Sequence, residues 1–154
     1  MKIISYRLNN ASSYGVLVNN ELYSLPENQS GLPPTMNAFL ALEESGMEMA
    51  RQTAQQIEAG TLVAKSVNNY EILAPVPHPT SCRDGYAFRQ HVEAARKNRG
   101  VEMIPEFDQY PIFYFTNHQA VEGPGPVYCM PDHFEQLDFE LEIAIVIGKK
   151  GRNI

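Results

Sequence analysis

The sequence predicts an α+β chain: a small N-terminal hairpin-plus-helix module over residues 1–73, then the start of a mostly β domain over 74–154. Three observations carry this. Two short β-type runs flank Asn19-Asn20, a stretch with helical periodicity covers Met36 to Glu58, and the run Leu137 to Lys149 (LDFELEIAIVIGK) has strand composition with Gly148 as a stop. Between them, Ile72 to Pro79 places Pro75, Pro77 and Pro79 within five residues, an extended and stiff connector where we set the module boundary.

In the leading module, Lys2 to Arg7 (KIISYR) reads as a short strand. Gly15 to Val18 and Glu21 to Leu25 flank the Asn-Asn pair, a two-residue hairpin turn. Pro33-Pro34 stops the strands and Thr35 can cap the helical stretch after it. Met36, Phe39, Leu40, Met47, Ala50, Ala54 and Ile57 recur mostly at helical spacing; Gly46 is the expected break into two helices, and Gly60 the end. The methionines here read as core filler.

Composition narrows the classes. A chain of 154 residues suffices for one ordinary domain, or a small one plus part of another. With 44% hydrophobic and 19% charged residues the composition is globular, not disordered. A net charge of -6 argues against nucleic-acid binding. No apolar run is long enough to span a membrane, and the N-terminus lacks a secretory signal. Cys82 and Cys129 show no metal-type spacing and read as free thiols in a reducing, cytoplasmic setting.

Ser81 to Gly100 (SCRDGYAFRQHVEAARKNRG) has a helix-like later part: Phe88, Val92 and Ala95 fall on one side, and Gly100 suits a C-terminal stop. On a continuous helix Asp84 and His91, seven residues apart, share nearly one face, with backbones separated by about 10 Å. That spacing suits two groups flanking a small substrate. Asp84 also reads as a helix-start residue favoured by the dipole, and His91 as a surface histidine.

In the strand read over Leu137 to Lys149, Phe139, Leu141, Ile143, Ile145 and Ile147 share one face, and Glu140, Glu142, Ala144 and Val146 the other. Two like charges that close repel, and a hard cation with oxygen ligands removes the repulsion. A wet sheet face also carries glutamates. The apolar face has to be covered, because five such side chains in a row would form an aggregation-prone patch. The first 136 residues could do so only if the leading module folded back on it, and its helix has too few strong apolar positions. We therefore expect the cover to come from further residues of the chain or from a second polypeptide.

The run RDGYAFRQH, Arg83 to His91, resembles the active-site segment of the fumarylacetoacetate hydrolase family, with Asp84, Tyr86 and His91 on the family's Asp, Tyr and His positions. LDFELEIAIVIGKKGRNI resembles the family's strand with its E-x-E metal ligands, matching Glu140 and Glu142. Tyr110 to Asn117 (YPIFYFTN) resembles the segment carrying a substrate-contacting Tyr, here Tyr114, and Glu122 to Tyr128 (EGPGPVY) is a Gly/Pro turn region in the expected place.

The resemblance implies a fumarylacetoacetate-hydrolase-like catalytic domain. Asp84, Glu140 and Glu142 would hold a divalent cation, Mg2+ first, with Ca2+ or Mn2+ as alternatives. His91 would be the general base that activates water, and Tyr86, Tyr114 and Arg96 or Arg99 the substrate contacts. The implied reaction is cleavage of a carbon–carbon bond in a 1,3-dicarbonyl or acylpyruvate-type acid through a metal-stabilised enolate. The alternatives are an isomerase or decarboxylase of aromatic-acid catabolism (hydroxymuconate or hydroxyheptadienedioate type), or a catalytically inactive binding or assembly module. The resemblance also implies a homodimer. Family chains continue past the E-x-E strand by roughly another domain, so completion of the catalytic centre by further residues, in the same or another chain, is expected.

Overall fold

The structure is a computed structural model that describes residues 1–153. It divides into two compact units, Met1–Pro77 together with the residues from Glu122 on, and His78–Val121.

The first unit is built on a four-stranded antiparallel sheet. Strands β1 (Lys2–Leu8), β2 (Ala11–Val18) and β3 (Glu21–Ser24) form a meander, and β4 (Glu71–Ile72) adds to the free edge of β1, giving the order β3-β2-β1-β4. Both turns are two-residue Asn-Asn turns, and all four asparagines (Asn9, Asn10, Asn19, Asn20) have positive φ, as a type I′ hairpin turn requires. Asparagine tolerates that region better than other residues with a Cβ. The expected Asn19-Asn20 hairpin is therefore present, and the same chemistry closes the β1–β2 hairpin.

Three helices cover one face: α1 (Leu25–Asn28), α2 (Met36–Leu40) and α3 (Glu43–Glu58). Thr35 caps α2, its hydroxyl oxygen accepting from the Ala38 N–H. The chain does break into two helices, but at Ala41–Leu42 and not at Gly46. Glu43 takes φ +51°, and Gly46 lies inside α3 where a Cβ would meet the Phe39 carbonyl oxygen and the Leu42 side chain. That glycine lets α3 approach the end of α2. Tyr14, Val16 and Val18 alternate down β2 into a core with Leu25, Leu32, Phe39 and Ala50; Met36, Met47 and Met49 pack at its margin, as core filler should. Full burial of each large apolar side chain contributes about 1.5–3 kcal/mol.

Tyr14 is fully buried, and its hydroxyl donates to the Pro33 carbonyl at 2.8 Å. Burial pushes its pKa up to about 12. The folded state therefore holds a proton that the unfolded chain releases near pH 10. Stability from this group is complete below pH 10 and is lost as the pH rises from there through about 12. Urea midpoints of the wild type should fall more steeply across that window than those of Tyr14→Phe; parallel curves would show that Tyr14 does not titrate with folding.

The second unit holds a two-stranded antiparallel ribbon, β5 (Cys82–Gly85) with β6 (Phe113–Thr116), and one helix, α4 (Arg89–Asn98). Val92 is its buried anchor. Phe88, expected on the same side, is instead exposed, because it precedes the helix in an extended conformation. The helix ends as a Schellman motif: Gly100 N–H donates to the Lys97 carbonyl and Val101 N–H to the Arg96 carbonyl, with Gly100 at φ +70°. A 3-10 turn at Pro105–Asp108 is tied back by Arg89, which pairs with Asp108 and, at 2.9 Å, with Glu93. The same guanidinium lies 5.7 Å from the Phe107 ring centroid.

The mostly β character expected for 74–154 is limited, among the described residues, to β5 and β6. The strand expected over Leu137 to Lys149 is absent. Pro131–Gln136 forms a 3-10 turn and the residues after it make no ladder, with Phe139, Leu141, Ile143, Ile145 and Ile147 all 82–94% exposed. Composition supplies the preference, but a strand exists only with a partner to receive its N–H and C=O groups. No described strand pairs with this segment.

Candidate active-site residues

Asp84 sits in β5, not at the start of a helix. Its register partner is Tyr114 of β6, flanked by the pairs Arg83 with Phe115 and Gly85 with Phe113. Directly opposed residues on an antiparallel pair share a face, with Cβ atoms about 4.5–5.5 Å apart. The ribbon thus brings a proposed metal ligand and a proposed substrate-contacting tyrosine side by side. The opposite face carries Arg83, whose guanidinium stacks 4.4 Å from the Phe115 centroid and 5.5 Å from that of Phe113.

The continuous helix read from Asp84 to His91 does not form. Asp84 is committed to the ribbon ladder, the Tyr86 N–H donates to the Ile112 carbonyl, and Phe88 is extended at φ -89°, ψ 102°. The helix begins only at Arg89. The path between Asp84 and His91 is therefore strand, turn and first helical turn, and the helical-rise spacing does not apply. His91 lies exposed in the first half of α4.

Tyr86 packs edge-on against Phe107, with centroids 6.3 Å apart. Arg96 donates from Nε to the Glu102 carbonyl and so holds the loop after α4, while Arg99 reaches back to the Ala95 carbonyl at 3.3 Å. Both arginines stand at the C-terminal end of α4, where the helix dipole favours cations. Glu140 and Glu142 are exposed, and with no ladder their orientation is not fixed by strand alternation. Gly123 escaped the sequence reading: its close approach to the β4 strand was visible only as part of the Gly/Pro run Glu122 to Tyr128.

Comparison with known proteins matches residues 80–154 to the family described as fumarylacetoacetate hydrolase, C-terminal. Asp84, His91, Tyr114, Glu140 and Glu142 all fall inside that match. Curated relatives carry the same family. The mitochondrial oxaloacetate tautomerase of Xenopus laevis is 30% identical over 125 residues, 80% of this chain and 35% of that protein. A human mitochondrial oxaloacetate tautomerase is 30% identical over 125 residues, 80% of this chain and 36% of its own length. The fumarylacetoacetate hydrolase domain-containing protein 2 homolog of Dictyostelium discoideum is 23% identical over 157 residues, covering 100% of this chain and 48% of the relative. Residues 80–154 belong to the fumarylacetoacetate hydrolase family. The chain spans between about a third and a half of the length of these relatives. Among the described residues, no helix is long and apolar enough to cross a membrane.

Proposed function

We propose that this chain belongs to an enzyme that moves a proton at the carbon beside a carbonyl of a small 2-oxo or 1,3-dicarbonyl acid, with a divalent cation. The observation that carries the reading is the family match over 80–154, which contains every proposed ligand and the proposed base. The relatives named oxaloacetate tautomerase favour keto–enol interconversion of an oxaloacetate-type acid. The second reading, favoured by the family's description as a hydrolase, is carbon–carbon cleavage of an acylpyruvate-type acid.

The donor set fits the cation. Asp84, Glu140 and Glu142 each offer one carboxylate oxygen. All-oxygen ligation suits Mg2+, Ca2+ or Mn2+ and argues against Zn2+. When bound, such an ion supplies Lewis-acid stabilisation of negative charge on substrate oxygens. His91 takes the proton: from substrate carbon in tautomerisation, returning it to oxygen, or from water in hydrolysis. An imidazole is suited to both tasks near neutral pH. Tyr114, opposed to Asp84, brings a phenol that can donate to a substrate oxygen. Cys82 and Cys129 are both free thiols, which suits a reducing compartment, the cytoplasm in this reading and the mitochondrial interior equally; the mitochondrial label belongs to the names of the relatives.

Calorimetric titration with Mn2+, together with oxaloacetate enol absorbance followed with and without Mg2+, tests this. Glu140→Gln with Glu142→Gln should weaken Mn2+ binding on the order of a hundredfold, since site affinity follows ligand charge. The same double variant should abolish Mg2+-dependent enol conversion. The full-length enzyme that contains this chain is the protein to assay: if it binds no Mn2+, or converts no enol or acylpyruvate beyond Mg2+ alone, the reading is overturned.

A further inference from the structure

Within the first unit, Gly123 comes to rest on the backbone of β4. A Cβ built at this position would lie 2.5 Å from the Ile72 carbonyl oxygen, 2.8 Å from the Leu73 carbonyl carbon and 2.8 Å from the Leu73 Cα. All three are backbone atoms, so no side-chain rotation relieves the overlap. Gly125, two residues on, meets nothing within 4 Å. The seat is therefore specific to one residue of the run EGPGPVY and does not follow from its glycine content.

The receiving surface is held from several directions. The Leu73 N–H donates to the Ser5 carbonyl at 2.9 Å, and the Ser5 hydroxyl donates to the Pro75 carbonyl at 2.8 Å. Tyr6 and Arg7 pair with Ile72 and Glu71, Arg7 also bridging to the Glu71 carboxylate at 3.0 Å. Ala74 is buried. The chain leaving this seat carries Cys129 and then Glu140 and Glu142.

We infer that Gly123 is a positioning residue: its seat against Ile72 and Leu73 fastens, at the edge of the leading sheet, the start of the segment that runs on through Cys129 to Glu140 and Glu142. The leading module thereby becomes part of the machinery that presents the two carboxylates, a role that rests on the metal reading above. Any side chain at 123 lifts the segment away and leaves the sheet itself intact.

The test uses paired spin labels in a Cys82→Ser background, one on Cys129 and one on the thiol introduced by Lys2→Cys, with Mn2+ titration in parallel. Wild type and Gly125→Ala should give one narrow distance distribution, and Gly123→Ala a broad one with unchanged far-ultraviolet circular dichroism. Gly123→Ala should also weaken Mn2+ binding measurably, with Gly125→Ala unaffected. A broad distribution in the wild type, or identical distributions in the two alanine variants, overturns the seat. A broadened distribution with unchanged Mn2+ affinity overturns its positioning role. A wild type that binds no Mn2+ while the distances behave as stated removes the metal reading and upholds the anchor.

Discussion

On the reading proposed above, His91→Ala made in the full-length enzyme that contains this chain should lower turnover by about a hundredfold or more, the usual contribution of a positioned general base, while Mn2+ affinity stays within about twofold of wild type because imidazole is not in the all-oxygen donor set. The structure makes this variant readable. His91 is exposed in α4, and the helix is anchored by the buried Val92 and closed by the Schellman motif at Gly100, so a change at 91 leaves both supports in place. Parallel measurements of enol conversion and Mn2+ titration separate the two roles. Wild-type turnover in the variant would remove His91 from the mechanism; loss of metal binding with turnover would recast it as a ligand.

Phe39→Ala should cost about 3–5 kcal/mol, the range for emptying a core aromatic site. Phe39 is 1% exposed and lies 4.9 Å from the Tyr14 ring, so the change removes both a filled volume and an aromatic contact. Domain stability is typically only about 5–15 kcal/mol, so the leading module should lose most of its folded margin. Urea unfolding followed by tyrosine fluorescence measures it. Phe39→Leu, which keeps most of the volume, should lose markedly less. A shift below about 1 kcal/mol for the alanine variant would place the core elsewhere.

The features legible from sequence were local. The Asn19-Asn20 turn, the Thr35 cap and the stops at Gly60 and Gly100 each depend on one or two residues whose backbone preference is strong, and each is present. Strand pairing between segments distant in sequence was not legible. Asp84 lies in the run Cys82–Gly85, which has no β-branched or aromatic residue, and its partner β6 is some thirty residues further on. A strand of that kind exists because of Phe113 to Thr116, so a helical continuation back from α4 was the better local reading and still the wrong one. The reverse holds at Leu137 to Lys149, where strong strand composition meets no described partner. The family resemblance over residues 80–154 was legible because it rests on residue order, which does not require the pairing to be known.

The two Asn-Asn turns have a kinetic consequence. Each joins neighbouring strands through a loop of two residues, so β1, β2 and β3 meet at almost no loop-closure entropy, and hairpins of this kind zip in about 1–10 μs. The pairing of β1 with β4 spans 64 residues between Arg7 and Glu71 and waits until the three helices have been laid down. During synthesis the meander can close while β4 has yet to be made. The edge that receives Gly123 is then the last part of the sheet to appear, and it is complete before residue 123 itself is added. The order in which the ribosome delivers the chain thus matches the order in which each docking surface becomes complete.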